Sequence, residues 1–293
     1  MNPTASEKGG FYIGRARMGR RFWNRRMRLI VLTFLMFAVI FGVYLAGAVL
    51  GEEAIAADFS RKGLAPSWEH PFGTDMLGRD MLARTVKGLS VSILVGTVAS
   101  GVSAVIALIV GVVAAMGISW LDHLMNWLID LVMGIPHMVL LILISFSCGK
   151  GLRGVLAGVA VTHWTGLARL IRSEVFKIRS EQYVEVSKKL GHSGRWITIH
   201  HILPHMVPQF LIGLILLFPH AIMHESGLTF LGFGLPPEQP AIGIILSESM
   251  KYIAAGNWWL AFFPGLMLVM TVFLFDRLGE NLKKILDPYS VHE

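Results

Sequence analysis

Histidine and methionine side chains recur inside the most apolar stretches of this chain. His220 and His224 are four residues apart and therefore share one face of a helix, with Met223 and Glu225 beside them. Imidazole and thioether groups are suitable ligands for nickel, copper and zinc. The spacing therefore predicts a transient metal site at His220 and His224.

Two further histidines extend this chemistry. His137 follows a proline, and His163 precedes a tryptophan. Ionisable side chains inside an apolar span are costly and usually serve a function. The alternative is that each imidazole only forms a hydrogen bond to a neighbouring helix. The candidate polar site comprises His137, His163, His220, Met223, His224 and Glu225.

The elements that carry these residues are predicted to be membrane helices. The chain has 293 residues, of which 54% are hydrophobic and 15% are charged, and its mean hydropathy is +0.61. A soluble domain usually has about 25% charged residues. An all-α polytopic membrane protein is therefore expected, with a helix wherever about 20 apolar residues follow one another. Six spans are predicted, at about 29–50, 90–116, 124–148, 154–174, 206–232 and 258–275.

The net charge of +7 is distributed as membrane topology requires. Eight basic residues precede the first span, and basic residues also prevail at 175–205 and at the C-terminus. Six spans place both termini on one side, so both are predicted to be cytoplasmic, with 51–88, 149–153 and 233–257 outside. The basic side chains then face membrane lipid, and no nucleic-acid partner is expected.

Several function classes are excluded by the sequence. The single cysteine, Cys148, rules out a disulfide framework and a cysteine metal cage within the chain. We find no phosphate-binding loop, nucleophile motif or compact zinc signature. The chain is therefore not expected to be an enzyme or to hold a cofactor of its own.

Four segments organise the chain. They are a basic N-terminal segment (1–28), the first span with an external loop (29–87), a membrane core (88–284) and a C-terminal tail (285–293). The second span is rich in small residues that permit close helix approach, with static packing as the alternative. These small residues are Gly96, Ser100, Gly101, Ser103 and Gly111.

A polar, glycine-broken segment interrupts the core at 175–205. Ser180 is predicted to cap a helix that runs through Leu190 and is followed by Gly191, a residue suited to the left-handed position after a helix. Ser193 is predicted to cap a second helix, at about 194–200. The result is a helix–turn–helix elbow on the cytoplasmic face, with Tyr183, Val186 and Leu190 on one side of its first helix. The alternative is an amphipathic loop lying on membrane lipid.

The external segment from His70 to Asp80 alternates helix breakers with charged groups. Thr74 or Asp75 is predicted to cap a short helix leading to the second span. Local pairing of Asp75, Arg79 and Asp80 is the structural interpretation of its charges. The motif residues are Gly73, Thr74, Asp75, Gly78, Arg79 and Asp80.

The polar segment resembles the signature loop of permease subunits of binding-protein-dependent ABC importers. That signature runs Glu-Ala-Ala, three residues, Gly, nine residues and Ile-x-Leu-Pro. This chain has Glu185-Val186-Ser187, then Gly191, and ends His201-Ile202-Leu203-Pro204. It departs from the signature at Val186, Ser187 and His201. In that family the loop is a coupling helix that sits in a groove of the ATPase subunit.

Further blocks resemble one subgroup, the dipeptide, oligopeptide and nickel permeases, in particular the second permease of each pair. They are the 70–80 motif, Ala168–Arg172, Gly227–Gly234 and Asp287-Pro288. The resemblance implies a type I importer fold in the cell inner membrane. It also implies a second homologous permease, one or two ATPase subunits that bind ATP and Mg, and an extracytoplasmic substrate-binding protein.

The sequence leaves open both the cargo and the class of transporter. The histidines favour nickel or a metal chelate as the cargo, with dipeptides or oligopeptides as the alternative. A different class, an ion-coupled secondary transporter, would use Asp130, Glu225 and the histidines as a relay. In either class, the six candidate polar residues would line a translocation pathway.

Overall fold

The computed structural model describes residues 25–114 and 119–286. The basic residues before Arg25, most of the 285–293 tail and the Asp287-Pro288 block lie outside the described residues. The predictions made for those parts therefore stay predictions.

Within the described ranges the regular structure is helical. An isolated bridge pairs Thr74 with Asp80, and no strand forms elsewhere in these ranges. Short 3-10 turns lie at Glu52–Ile55 and Phe59–Arg61, and a π-helical turn lies at Thr198–Ile202. The α-helices are α1 (Arg25–Val49), α2 (Met81–Ala114), α3 (Ser119–Gly134), α4 (His137–Ser147), α5 (Leu152–Thr162), α6 (Trp164–Arg179), α7 (Gln182–Lys189), α8 (Gly194–Ile197), α9 (Leu203–Phe230), α10 (Ile242–Ile253) and α11 (Trp259–Leu286).

The helices agree with the predicted number of spans. Five helical stretches are long and apolar enough to cross a membrane, and a sixth exists if α3 and α4 are one span. These two helices meet at an angle of 97°. Pro136 lies at the break, where it cannot donate a backbone N–H and disfavours helical geometry in the residue before it. The all-α polytopic fold is confirmed, but the predicted third span is broken.

Helix α2 is the central element of the fold. It contacts α1, α6 and α9 along its length. Buried side chains of α2 join three successive apolar clusters, at Met81 and Leu89, then Val95 and Ala99, then Ala104 and Ala107. Its small residues allow these close contacts, since a Cβ added at Gly96 would lie 2.6 Å from a side-chain carbon of Ile222. Gly101 does not serve this purpose, because it has open space around it.

Two local predictions were wrong. The helix predicted to lead into the second span is continuous with it, and Asp80 rather than Thr74 or Asp75 caps α2, accepting from the backbone N–H of Ala83 at 2.9 Å. Ser180 ends α6 instead of starting α7, whose preceding residue is Glu181. The external segment 233–257 contains the helix α10, which packs against α9 and α11.

Candidate functional site

Three histidines from separate parts of the chain meet in the middle of the helix bundle. His137 begins α4, His163 lies at the junction of α5 and α6, and His224 lies in α9. The centroids of their rings are 4.5–4.9 Å apart, and each ring is edge-on to the others. One nitrogen from each ring lies within 4.8 Å of the others. We call these residues the histidine trio.

Backbone carbonyls hold two rings of the trio in place. The Nδ1 atom of His163 lies 3.0 Å from the carbonyl oxygen of Val159, and Nδ1 of His224 lies 2.8 Å from that of His220. Nε2 of His163 also lies 3.1 Å from Nδ1 of His224. The buried Nε2 of His137 has no hydrogen-bond partner among the described residues.

The structure assembles a different set of histidines from the pair that the spacing singled out. His224 belongs to the trio, but His220 is exposed and its carbonyl supports the His224 ring. Met223 is 56% exposed. His137 and His163, predicted only as additional polar residues, are the partners of His224. Spacing along one helix could not reveal them, because they come from other helices.

Glu225 forms its hydrogen bonds with residues outside the histidine trio. Its carboxylate is fully buried and accepts hydrogen bonds from Ser226 at 3.2 Å and Thr229 at 3.0 Å. Thr229 also accepts the backbone N–H of Leu235 at 3.2 Å. Glu225 therefore anchors the turn that follows α9, which argues against a place in a relay with the trio.

The polar segment forms the predicted elbow. Gly191 has a φ of +86°, the left-handed conformation expected after a helix, and its N–H donates to the carbonyl of Lys188 at 3.0 Å. Ser193 accepts the N–H of Trp196 at 3.3 Å and so caps α8. Leu203 and Pro204 begin α9. The elbow is thus continuous with the helix that carries His224.

The first helix of the elbow presents its apolar stripe outward. Tyr183, Val186 and Leu190 are 42%, 54% and 72% exposed, whereas Val184 is buried. Glu185 is also exposed. Partial desolvation, followed by the charge of Glu181, raises the pKa of Tyr183. The elbow therefore offers an apolar surface to a partner.

The external motif folds into an ion-pair network. One carboxylate oxygen of Asp75 accepts from Nε of Arg79 at 2.6 Å and from Nη1 of Arg84 at 2.8 Å. Both arginines also reach Glu248 of α10, at 3.2 and 3.0 Å. Asp80 pairs with His70 at 2.7 Å. The predicted pairing of Asp75 with Arg79 is present, but Arg84 and Glu248 were missed.

Tight turns complete the motif. Thr74 donates to the carbonyl of Arg61 and accepts the N–H of Leu64 at 2.8 Å. Gly73 and Gly78 have φ values of +71° and +74°. Nearby, hydrogen bonds from the side chain and backbone of Ser60 lower the pKa of Asp58. The motif thus joins the loop before α2 to α10.

Two aspartates of α3, Asp122 and Asp130, pair with arginines of α6. Arg172 makes two hydrogen bonds to Asp122, at 2.7 and 3.0 Å. Asp130 pairs with Arg169 at 2.8 Å, and both side chains are more than half exposed. The Asp130 carboxylate is therefore occupied by an arginine outside the histidine trio.

The chain resembles known permeases over most of its length. It is 32% identical over 260 residues to the dipeptide transport system permease protein DppC of Bacillus subtilis (strain 168), which covers 89% of this chain and 80% of that protein. It is 31% identical over 277 residues to a putative peptide permease protein of Brucella suis biovar 1, covering 93% and 90% of the two chains.

A solved structure shares the fold. A chain of the MetNI methionine ABC transporter, determined in inward-facing conformations, superposes with a TM-score of 0.60 at 18% identity. The match covers 71% of this chain and 98% of that chain. At this identity the likeness shows the fold alone, and that fold is the type I importer permease.

A family model matches residues 107–288, a range that holds the histidine trio and the elbow. It describes the inner membrane component of binding-protein-dependent transport systems. Together with the relatives above, this match shows that the chain belongs to that family, and it is a multi-pass permease subunit of an ABC importer in the inner membrane.

Proposed function

We propose that this chain forms half of the translocation pathway of an importer for dipeptides or other short peptides. The observation that carries this proposal is the 32% identity with a dipeptide permease over 89% of the chain. The second relative described above is also named for peptides. These names favour peptides over nickel, the cargo that the histidines suggested from sequence.

The elbow is the proposed contact with an ATPase subunit. Its outward stripe of Tyr183, Val186 and Leu190 leaves apolar surface uncovered by the chain. Burial of such surface against a partner is favourable, by roughly 25 cal/mol per Å². Since the elbow continues into α9, a displacement of the docked elbow would be transmitted along that helix. This continuity supports Glu185 to Pro204 as the coupling loop.

Transport would require two helix packings of similar free energy, between which the ATPase contact selects. The close contacts of α2 with its neighbours support this proposal. Gly96 lies against Ile222 of α9, and Gly111 lies against Ile171 of α6. Small residues at these positions let the helices slide past one another without long side chains in the way.

The remaining components are proposed from the family. A second homologous permease would supply the other half of the pathway, and an extracytoplasmic binding protein would deliver the peptide. One or two ATPase subunits would bind ATP and Mg. The exposed apolar faces of α3 and α4, including Leu131, Val139 and Leu143, are available for contacts with the second permease or with lipid.

The decisive experiment has two steps. The ligand retained by the partner binding protein on purification is identified by mass spectrometry. Uptake of that ligand is then measured in proteoliposomes that contain the complete transporter, with and without ATP. A retained peptide and ATP-dependent uptake are expected.

An ion gradient should not replace ATP in the same proteoliposomes. Asp130 pairs with an arginine and Glu225 anchors a turn, so neither side chain is placed to pass protons to the trio. Asp130→Asn should therefore leave ATP-driven uptake within about twofold, the change expected for loss of one exposed ion pair. Gradient-driven uptake by this chain alone would instead establish an ion-coupled secondary transporter.

A further inference from the structure

The histidine trio has the composition of a metal site and lacks the features of a packing cluster. Three imidazoles meet at one point, although each comes from a different helix or junction. His163 is 8% exposed, and the Nε2 atom of His137 is buried. In such surroundings a polar atom without a partner is costly. The buried and unpartnered Nε2 of His137 therefore needs a ligand that the described residues do not supply.

The hydrogen bonds of the trio fix which nitrogens are free. The carbonyl of Val159 accepts Nδ1–H of His163 at 3.0 Å, and that of His220 accepts Nδ1–H of His224 at 2.8 Å. The imidazoles of His163 and His224 then carry their lone pairs on Nε2. Nε2 of His163 lies 3.1 Å from Nδ1 of His224, a contact that a bound metal ion would replace. Histidines that bind metals commonly donate the opposite N–H to a backbone carbonyl in this way. The tautomers assigned from these contacts are those that a metal would require.

The spacing of the three imidazole nitrogens is close to the spacing of nitrogen ligands around a bound metal ion. Tetrahedral coordination with metal–nitrogen distances of about 2.0–2.1 Å separates ligand nitrogens by roughly 3.3 Å. The nitrogens of the trio lie within 4.8 Å of one another. Coordination would therefore require the rings to rotate and the nitrogens to approach one another by at most about 1.5 Å. Three histidines fill three positions and leave a fourth open.

We propose that His137, His163 and His224 bind one divalent first-row transition-metal ion, such as Zn²⁺, Co²⁺ or Ni²⁺, with one coordination position open. Imidazole selects this class of ion over Mg²⁺ and Ca²⁺, which prefer oxygen ligands. The proposal does not depend on peptide cargo. It also replaces the pair of His220 and His224 with a set drawn from three parts of the chain.

The test uses Co²⁺ as the probe, because this ion reports its own coordination through visible d–d absorption. The full-length chain is purified in detergent with an affinity tag that contains no histidine and is titrated with Co²⁺. One ion per chain with an intense tetrahedral spectrum is expected. His137→Gln, His163→Gln and His224→Gln should each weaken binding at least tenfold, since loss of an outer partner alone costs about 10–100-fold.

His200 provides a matched control. Its Nδ1 lies 3.0 Å from the carbonyl of Trp196, four residues earlier, as Nδ1 of His224 lies 2.8 Å from that of His220. His200 is exposed and lies outside the trio. His200→Gln should therefore bind Co²⁺ as the wild type does. Equal weakening by His200→Gln and His224→Gln, or undiminished binding by the trio variants, would overturn the proposal.

A second measurement needs no substitution, so it tests the site even if one of the variants fails to fold. X-ray absorption on the wild-type chain with one Co²⁺ or Zn²⁺ counts imidazole ligands without any substitution. Three imidazoles in the first coordination sphere support the site. A sphere of oxygen ligands, or of one imidazole, contradicts it.

Discussion

Ser187 and His201 contact each other across the elbow, with Oγ of the serine 2.9 Å from Nε2 of the histidine. Both positions depart from the family signature, which has Ala and Ile there. The side chain of Ser187 is largely buried, so an unpaired hydroxyl at this place would be costly. The two departures therefore compensate for each other and join α7 to the turn that leads into α9.

This contact predicts a non-additive pair of substitutions. Ser187→Ala and His201→Ile should each lower the free energy of unfolding by about 1–3 kcal/mol, because each leaves the other polar group without its partner. The double variant should lose less than the sum, with a coupling energy of about 1 kcal/mol. Denaturant titration of the four proteins in one detergent measures the cycle.

Ser180 supplies the control for that cycle. Its exposed hydroxyl donates to the carbonyl of Lys177 at 2.7 Å and does not contact His201. Ser180→Ala combined with His201→Ile should be additive within about 0.5 kcal/mol. A coupling as large as that of Ser187 would show that the cycle reports the elbow as a whole and not the contact.

Substitution of Gly191 is expected to uncouple ATP hydrolysis from transport. Gly191→Pro should abolish substrate-stimulated ATPase activity of the assembled transporter, because proline requires a φ near −65° and removes the N–H that Lys188 accepts. Gly191→Ala should cost about 1–2 kcal/mol at the left-handed position and reduce the stimulation partially.

Gly194 tests whether the elbow tolerates a small side chain in general. It begins α8 with an ordinary helical conformation, and an added Cβ would meet no atom within 4 Å. Gly194→Ala should retain ATPase stimulation. Normal transport by Gly191→Pro, with intact membrane insertion, would contradict the coupling-loop proposal.

The external network predicts a large loss of stability on removal of one charge. Arg84 is 4% exposed and shares Asp75 with Arg79. Asp75→Asn should therefore lower the free energy of unfolding by roughly 3 kcal/mol, as expected when a buried pair loses one partner. Glu52→Gln, which breaks a pair whose carboxylate is 84% exposed, should cost less than about 1 kcal/mol. Equal losses in the two variants would mean that the network does not stabilise the external motif.

Gly78 predicts that the same motif is sensitive to a single methyl group. Gly78→Ala should lose about 3 kcal/mol of unfolding free energy, since the residue has a φ of +74° and its Cβ would overlap the carbonyl group of Asp58. Gly149 has a similar φ of +77° but open space around it. Gly149→Ala should therefore lose only about 1–2 kcal/mol of unfolding free energy. The difference in denaturation midpoint between Gly78→Ala and Gly149→Ala then measures the effect of the steric overlap with Asp58.

Local patterns in the sequence were sufficient for the class, for the elbow and for every span except the third, which is broken at Pro136. A run of about 20 apolar residues predicts a membrane helix whatever its neighbours are. The turn at Gly191 and the cap at Ser193 were predicted because each depends on a few adjacent residues. The caps assigned to Ser180 and Thr74 failed because several polar residues lie close together there, and only the packing of α6 and α2 decides which one begins a helix.

The tertiary structure alone decided which distant side chains meet. His220 and His224 drew notice because helical spacing relates residues four apart, yet the trio takes His137 and His163 from elements that the chain brings together only when α4, α5 and α9 pack. Glu248 joined the external arginines in the same way, through α10. The sequence thus determined the kind of machine and the elbow before α9, since those follow from hydrophobicity and local turns. The polar sites required the fold, because their parts are far apart along the chain and are adjacent only after the helices pack.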